Sequence, residues 1–324
     1  MTAFIEAQGL AIAYETRDRR TYALDGADLR LAGDESLALV GESGSGKTTL
    51  GMAIGRLLPG AARRVAGDLW IDGRSVFAAS EAQLRALRRD NLGFVFQNPM
   101  TALDPTMRVG RQVTLALGRK AGVAELLARV ELNDPERVMR AFPHQLSGGM
   151  AQRVVIAMAI ARQPRVVVAD EPTASLDASV RDRVMATLQR LRAETRASLV
   201  VLTHDLRMVG RHADRIAVMY GGRPVETGAT ESVLKRPAHP YTRALLRAGA
   251  GGETPAGRLA PIAGSPPMLT APAAYCAFAP RCPLRQAVCS EVRPEPREVD
   301  GRRVACHFAE AALAESALFE EARR

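Results

Sequence analysis

The segment that most restricts the folds open to this chain is Gly41-Glu42-Ser43-Gly44-Ser45-Gly46-Lys47-Thr48, directly after the apolar run Ser36-Leu37-Ala38-Leu39-Val40. A short apolar run of this kind reads as a strand buried in a parallel sheet. The eight residues after it satisfy the pattern G-x-x-x-x-G-K-[ST]. Glycines let such a loop curl until successive N–H groups converge on one anion, and the helix opening near Lys47 adds its positive end. The Lys47 ammonium is then placed to reach β- and γ-phosphates, and the Thr48 hydroxyl to ligate Mg2+. Gly41, Ser43, Gly44, Ser45, Gly46 and Thr49 complete this predicted phosphate cradle.

A second half follows much later, in Arg165-Val166-Val167-Val168-Ala169-Asp170-Glu171-Pro172. Four apolar residues predict another buried strand, and Asp170 stands at its C-terminal end, where ligands of parallel sheets gather. Asp170 suits a Mg2+ partner, and Glu171 suits polarisation of an attacking water. Between these halves, Leu146-Ser147-Gly148-Gly149-Met150 precedes an apolar helix. Ser147 is a good N-cap, and Gly148 and Gly149 let backbone N–H groups approach an anion. The chain already has its own phosphate loop, so this second helix end is suited to close over nucleotide held by another subunit. Gln97, at a strand end, is suited to ligate Mg2+. His204 closes Leu199-Val200-Val201-Leu202-Thr203 and is suited to contact the γ-phosphate, while Asp177 ends Ser175-Leu176-Asp177 a few residues beyond Glu171.

Around these motifs the pattern alternates. Strands are expected at Leu10–Tyr14, Tyr22–Leu31, Leu92–Phe96, Val166–Ala169 and Ser198–Thr203. Helices are expected at Ser80–Arg89, throughout Val109–Arg140, and at Ala151–Arg162 and Ala178–Thr195. Strands alternating with helices argue for a parallel sheet covered on both faces. Hydrophobic residues at 47% and charged residues at 24% exclude a disordered chain. The longest apolar run, Val154–Ala161, falls well short of the ~18 residues of a membrane span, and Met1–Glu6 lacks the features of a signal peptide. A soluble, cytosolic protein with any membrane role peripheral is therefore expected. The formal charge is +9, yet Lys47, Lys120 and Lys235 are the only lysines. No stretch interleaves arginine with aromatics as a nucleic-acid platform does, so no nucleic-acid partner is expected.

In this order the motifs resemble the ATP-binding cassette (ABC) ATPases over roughly residues 5–240. The resemblance implies a P-loop α/β core with a parallel sheet, an antiparallel β lead-in and a helical subdomain at about 98–162. It implies ATP and Mg2+ held by Thr48, Gln97 and Asp170, with Glu171, His204 and Gln97 catalytic. It also implies a head-to-tail dimer in which Ser147, Gly148 and Gly149 face the partner's phosphate loop. The adenine-stacking aromatic maps to Tyr14, with Tyr22 the alternative. Three segments are similar to the oligopeptide and dipeptide importers in particular: the phosphate loop, Phe96-Gln97-Asn98-Pro99-Met100-Thr101-Ala102-Leu103-Asp104-Pro105, and Phe142-Pro143-His144-Gln145 running into the signature. His239-Pro240-Tyr241-Thr242-Arg243-Ala244-Leu245-Leu246 and Ser265-Pro266-Pro267 extend the likeness.

That branch implies a nucleotide-binding domain at 1–248 and an extension at 249–324, entered through Gly249-Ala250-Gly251-Gly252. The implied partners are a second ATPase subunit forming a heterodimer, two integral membrane permeases and an extracytoplasmic solute-binding protein, with the chain at the cytoplasmic face of the membrane. Gly110–Arg140 is shorter than is usual there. Cargo other than peptide, such as nickel or an opine, stays open, as does the more distant reading of a soluble ABC ATPase acting on nucleic acid or ribosomes.

Cys276, Cys282, Cys289 and Cys306 are spaced C-x5-C-x6-C-x16-C in the Pro-rich tail. Four thiols in a small segment of a cytosolic protein read as a metal site. The paired C-x2–4-C knuckles of zinc sites are absent, and wider spacing suits an Fe–S cluster. Resemblance to the subgroup implies a [4Fe–4S] cluster; zinc is the alternative and metal-free thiols the third reading. His307, beside Cys306, reads as a bystander.

Overall fold

The computed structural model describes residues 4–173, 178–249 and 262–321. Ser175-Leu176-Asp177 and the expected linker beyond Gly249 lie outside the described residues. In chain order the elements are β1 (Ile5–Glu15), β2 (Arg20–Leu31), β3 (Ser36–Val40), α1 (Lys47–Ile54), β4 (Ala62–Ile71), β5 (Arg74–Ser75), α2 (Glu81–Asp90), β6 (Leu92–Val95), α3 (Pro99–Ala102), α4 (Val109–Leu117), α5 (Val123–Arg129), α6 (Pro135–Arg140) and α7 (Gly148–Ile160). They continue with β7 (Val166–Asp170), α8 (Ala178–Thr195), β8 (Ser198–Thr203), α9 (Leu206–His212), β9 (Arg215–Tyr220), β10 (Arg223–Ala229), α10 (Thr230–Lys235), α11 (Pro240–Gly249), α12 (Val288–Glu291), β11 (Arg297–Val299), β12 (Arg302–Val304) and α13 (Ala309–Glu321). Two compact units result, one containing the described parts of 1–31, 37–78 and 203–324, the other those of 32–36 and 79–202.

In the first unit β2, β1, β4 and β5 form an antiparallel sheet in that order. This is the antiparallel lead-in, and it is longer than the sequence pattern indicated: β1 begins at Ile5, and β4 was not foreseen. A second sheet places β3 parallel to β9, with Leu37 opposite Arg215 and Val40 opposite Val218. β9 pairs antiparallel with β10, β10 with β12, and β12 with β11. Every residue of β3 is buried, as the apolar run requires. The tail is thus built onto the sheet through Glu226 opposite Val304. Its Phe278 is buried against Tyr220 and Tyr241, with ring centroids 5.2 and 5.3 Å away.

The second unit holds three parallel strands, β7 between β6 and β8. β7 and β8 are buried along their whole length. Helix starts follow local chemistry. The Ser80 side chain and Gln83 form a reciprocal capping box for α2, and Asn98 caps α3 ahead of Pro99. The expected helical stretch Val109–Arg140 is corrected to three short helices. Gly118 and Gly122 take left-handed conformations that close α4 and open α5, and Asp134 caps α6 before Pro135. The α7 helix packs against β6 and α4. Among the described residues no helix is long and apolar enough to cross a membrane.

Candidate nucleotide-binding site

The Gly-rich loop leaves β3 at its C-terminal end, in the first unit. Gly46 sits at φ 101°, and a Cβ there would lie 2.5 Å from the Ala23 carbonyl oxygen, so only glycine fits. Gly46 is the residue before α1, and its carbonyl accepts from Leu50 N–H at 2.9 Å. The first N–H groups of α1 therefore face the loop. Buried Lys47 folds back, donating from Nζ to the carbonyl oxygens of Gly41 at 2.8 Å and Glu42 at 3.0 Å, with Ser45 Oγ at 3.5 Å. Ser45 N–H donates to the Glu42 carbonyl at 3.2 Å. An ammonium already gathered into the loop is positioned to exchange these carbonyls for phosphate oxygens. Thr48 is exposed and Thr49 buried. Half-buried Tyr14 lies beside the same helix, its hydroxyl 3.2 Å from Thr49 Oγ1; Tyr22, also half-buried, donates its backbone N–H to the Leu269 carbonyl at 2.8 Å. Exposed His204 directly follows β8.

The second unit carries the other predicted residues. Val95 of β6 is opposite Ala169 of β7, and Asp170 is opposite Leu202 of β8. Because the strands are parallel, exposed Gln97, two residues past β6, and buried Asp170 emerge at the same C-terminal edge. Glu171 holds φ 44° while its N–H donates to the Leu202 carbonyl at 2.8 Å. A glutamate in the left-handed region is uncommon and marks a backbone held by its surroundings. Exposed Ser147 caps α7, accepting from Met150 N–H at 3.3 Å, and leaves the N–H groups of exposed Gly148 and half-buried Gly149 at the helix start.

Also within the second unit, a groove is floored by Gly93, Phe94, Val155 and Ala159 and rimmed by Arg88 and Arg162, with Leu115 exposed on its wall.

In the first unit the four cysteines are free and line one cavity, walled by Pro240, Phe278 and Phe308. Burial pushes the Cys282 thiol up to about 11 and that of Cys306 up to about 12, and for Cys306 the other three thiols push the same way. His239 shares the cavity, and burial brings it down to about 3. Half-buried His307 spends Nε2 on the Val292 carbonyl at 2.9 Å. Among the described residues no three His, Cys, Asp or Glu side chains are gathered as a single-ion site.

The sequence reading missed what stands behind the phosphate loop. Arg281 of the tail bridges the Glu42 carboxylate, and the Tyr241 hydroxyl accepts from Glu42 N–H at 2.9 Å. No spacing signal links residues so far apart in sequence.

Residues 24–174 match the ABC transporter family, and residues 225–289 match the C-terminal region of oligopeptide/dipeptide transporters. A putative peptide import ATP-binding protein of Brucella abortus (strain 2308) is 38% identical over 311 residues, covering 93% of this chain and 94% of the relative. The oligopeptide transport ATP-binding protein OppD of Bacillus subtilis (strain 168) is 38% identical over 310 residues, 91% of this chain and 85% of its own length. Among solved structures, a dimeric post-hydrolysis state of the ATP-binding cassette MJ0796 with ADP and Pi aligns at TM-score 0.63 and 30% identity, covering 70% of this chain and 98% of that one.

Proposed function

The chain belongs to the ABC transporter family of ATPases, and from that premise we propose that it hydrolyses ATP to energise an importer of oligopeptides or dipeptides. The observation that carries this reading is the phosphate loop, with Lys47 drawn in beside the first turn of α1. The likeness to peptide-import ATP-binding proteins over more than nine-tenths of the chain supports the cargo class.

In this mechanism Lys47 and the amides from Gly41 to Thr49 hold the phosphates, and Tyr14 takes the adenine face. The oxygen donors of Thr48, Gln97 and Asp170 suit a hard divalent cation; bound Mg2+ would offset phosphate charge during phosphoryl transfer. Glu171 orients or deprotonates the attacking water, and His204 senses the γ-phosphate. Ser147, Gly148 and Gly149 reach towards nucleotide held by a second ATPase subunit, and Asp177, a few residues beyond Glu171 in sequence, belongs to the same nucleotide site. Hydrolysis removes the anion that this helix start grips, and the dimer opens.

Residues 1–248 act as the nucleotide-binding domain, with a helical subdomain at about 98–162, and 249–324 as its extension. The groove beside Leu115 receives a cytoplasmic helix from one of two membrane permeases, which keeps the chain at the cytoplasmic membrane face. An extracytoplasmic binding protein delivers the solute, and the second ATPase is a similar but distinct chain. Cys276, Cys282, Cys289 and Cys306 hold a [4Fe–4S] cluster. A lone zinc needs all four sulfurs within ~2.3 Å of one point, whereas a cluster takes thiolates spread around a wider centre, which suits four thiols lining one cavity. Affinity isolation of the tagged chain from its native membranes tests the transport role. Recovery of two integral membrane proteins and a second ATPase subunit is expected, and recovery of ribosomes or nucleic acid instead would overturn it.

A further inference from the structure

We infer that Arg281 is a positioning residue for the phosphate loop, and that through it the thiol-bearing tail sets the affinity of that loop for nucleotide. Glu42, the second residue of the loop, is gripped from two sides. Its N–H donates to the Tyr241 hydroxyl at 2.9 Å, and its carboxylate takes a two-pronged contact, Arg281 Nη1 to Oε2 at 2.7 Å and Nη2 to Oε1 at 3.0 Å. The Arg281 side chain is only 5% exposed, and Glu42 is 23% exposed. Nε donates to the Ala263 carbonyl at 2.8 Å, Nη2 to the Ile262 carbonyl at 3.1 Å and Nη1 to the Tyr220 hydroxyl at 3.2 Å. A planar fork saturated in this way fixes geometry as well as charge, which lysine does not reproduce.

Two features turn a buried ion pair into a link. On the loop side, the Glu42 carbonyl is an acceptor for both Lys47 Nζ and Ser45 N–H, so moving Glu42 moves the groups that set the lysine and the loop amides. On the tail side, Arg281 belongs to a turn written by the cysteine segment. Ala279 N–H donates to the Cys276 carbonyl at 2.9 Å, Cys282 N–H to the Ala279 carbonyl at 3.3 Å, and Cys276 N–H to the Cys289 carbonyl at 3.0 Å. Whatever arranges Cys276, Cys282 and Cys289 therefore also arranges the reach of Arg281.

The inference rests on the reading that this loop binds ATP, and the experiment separates the two. The dissociation constant of ATP is measured on the purified full chain for wild type, Arg281→Gln, Arg281→Lys, Glu42→Gln and the double variant Glu42→Gln/Arg281→Gln, with melting temperatures recorded in parallel. Arg281→Gln and Glu42→Gln are each expected to weaken binding about tenfold, equivalent to about 1.4 kcal/mol. Arg281→Lys should recover part of the loss, and the double variant should be no weaker than either single one. Arg297→Gln, which removes a surface partner of Glu310 in the same tail, should leave binding unchanged. Cys282→Ala should weaken binding in the wild-type background and have no further effect beside Arg281→Gln. Wild-type affinity in folded Arg281→Gln and Glu42→Gln chains would overturn the inference, as would fully additive losses. A wild-type chain that does not bind ATP would instead defeat the reading of the loop itself.

Discussion

At the scale of single residues, the proposed mechanism assigns nucleotide binding to Lys47 and turnover to Glu171. The Lys47 ammonium meets two loop carbonyls, and no other side chain in the loop carries positive charge. Charge-assisted contacts of this kind contribute about 1.5–3 kcal/mol apiece, so Lys47→Ala should weaken ATP binding by about two orders of magnitude in a direct titration; unchanged affinity would remove Lys47 from the site. The sequence singles out Glu171 as a candidate by its place after an apolar strand. Its left-handed backbone, at φ 44°, is not legible there, because nothing in Asp-Glu-Pro specifies a strained conformation. Arg281 was equally hidden. An arginine before a cysteine in a Pro-rich tail carries no mark of the carboxylate it meets 239 positions away in sequence.

At the scale of elements, the strands that position the site were legible because each is short, apolar and bounded by polar residues, as β3, β7 and β8 are. β4 was not, since Ala62–Ile71 contains two arginines, a glycine and an aspartate and stays largely exposed. Its strand conformation comes from pairing with β1, which no local pattern reveals. The helical region was legible as helix but not in its breaks, because Gly118 and Gly122 act through left-handed backbone that a periodicity count passes over. The α4 helix also exposes Leu115, 63% accessible on the wall of the Gly93–Ala159 groove. An apolar side chain beside an arginine rim suits a docked amphipathic helix. Leu115→Asp should therefore leave the ATPase of the isolated chain within about twofold of wild type, while abolishing co-purification with the permeases. Retained co-purification would place the docking surface elsewhere.

For the molecule as a whole, the tail joins the cassette on three levels: the β10–β12 pairing, the Tyr220–Tyr241–Phe278 ring cluster and the Arg281–Glu42 bridge. In sequence the four cysteines form a set only by their spacing in one short segment; in the fold they line one cavity. Anaerobically purified protein should be brown, with about four iron and four sulfide per chain, and chelation should bleach it; colourless protein carrying zinc would contradict the cluster. All of these expectations presuppose that two such modules enclose ATP between them, each supplying a phosphate loop to one site and a helix start at Ser147 to the other. The most direct test is the mass of the Glu171→Gln chain, mixed with its second ATPase subunit and Mg2+-ATP, by light scattering with nucleotide quantified. A stable dimer retaining unhydrolysed ATP at the site of this chain's own phosphate loop is predicted, weakened by Ser147→Arg; monomers that hold no nucleotide, or full hydrolysis at that site, would contradict the account.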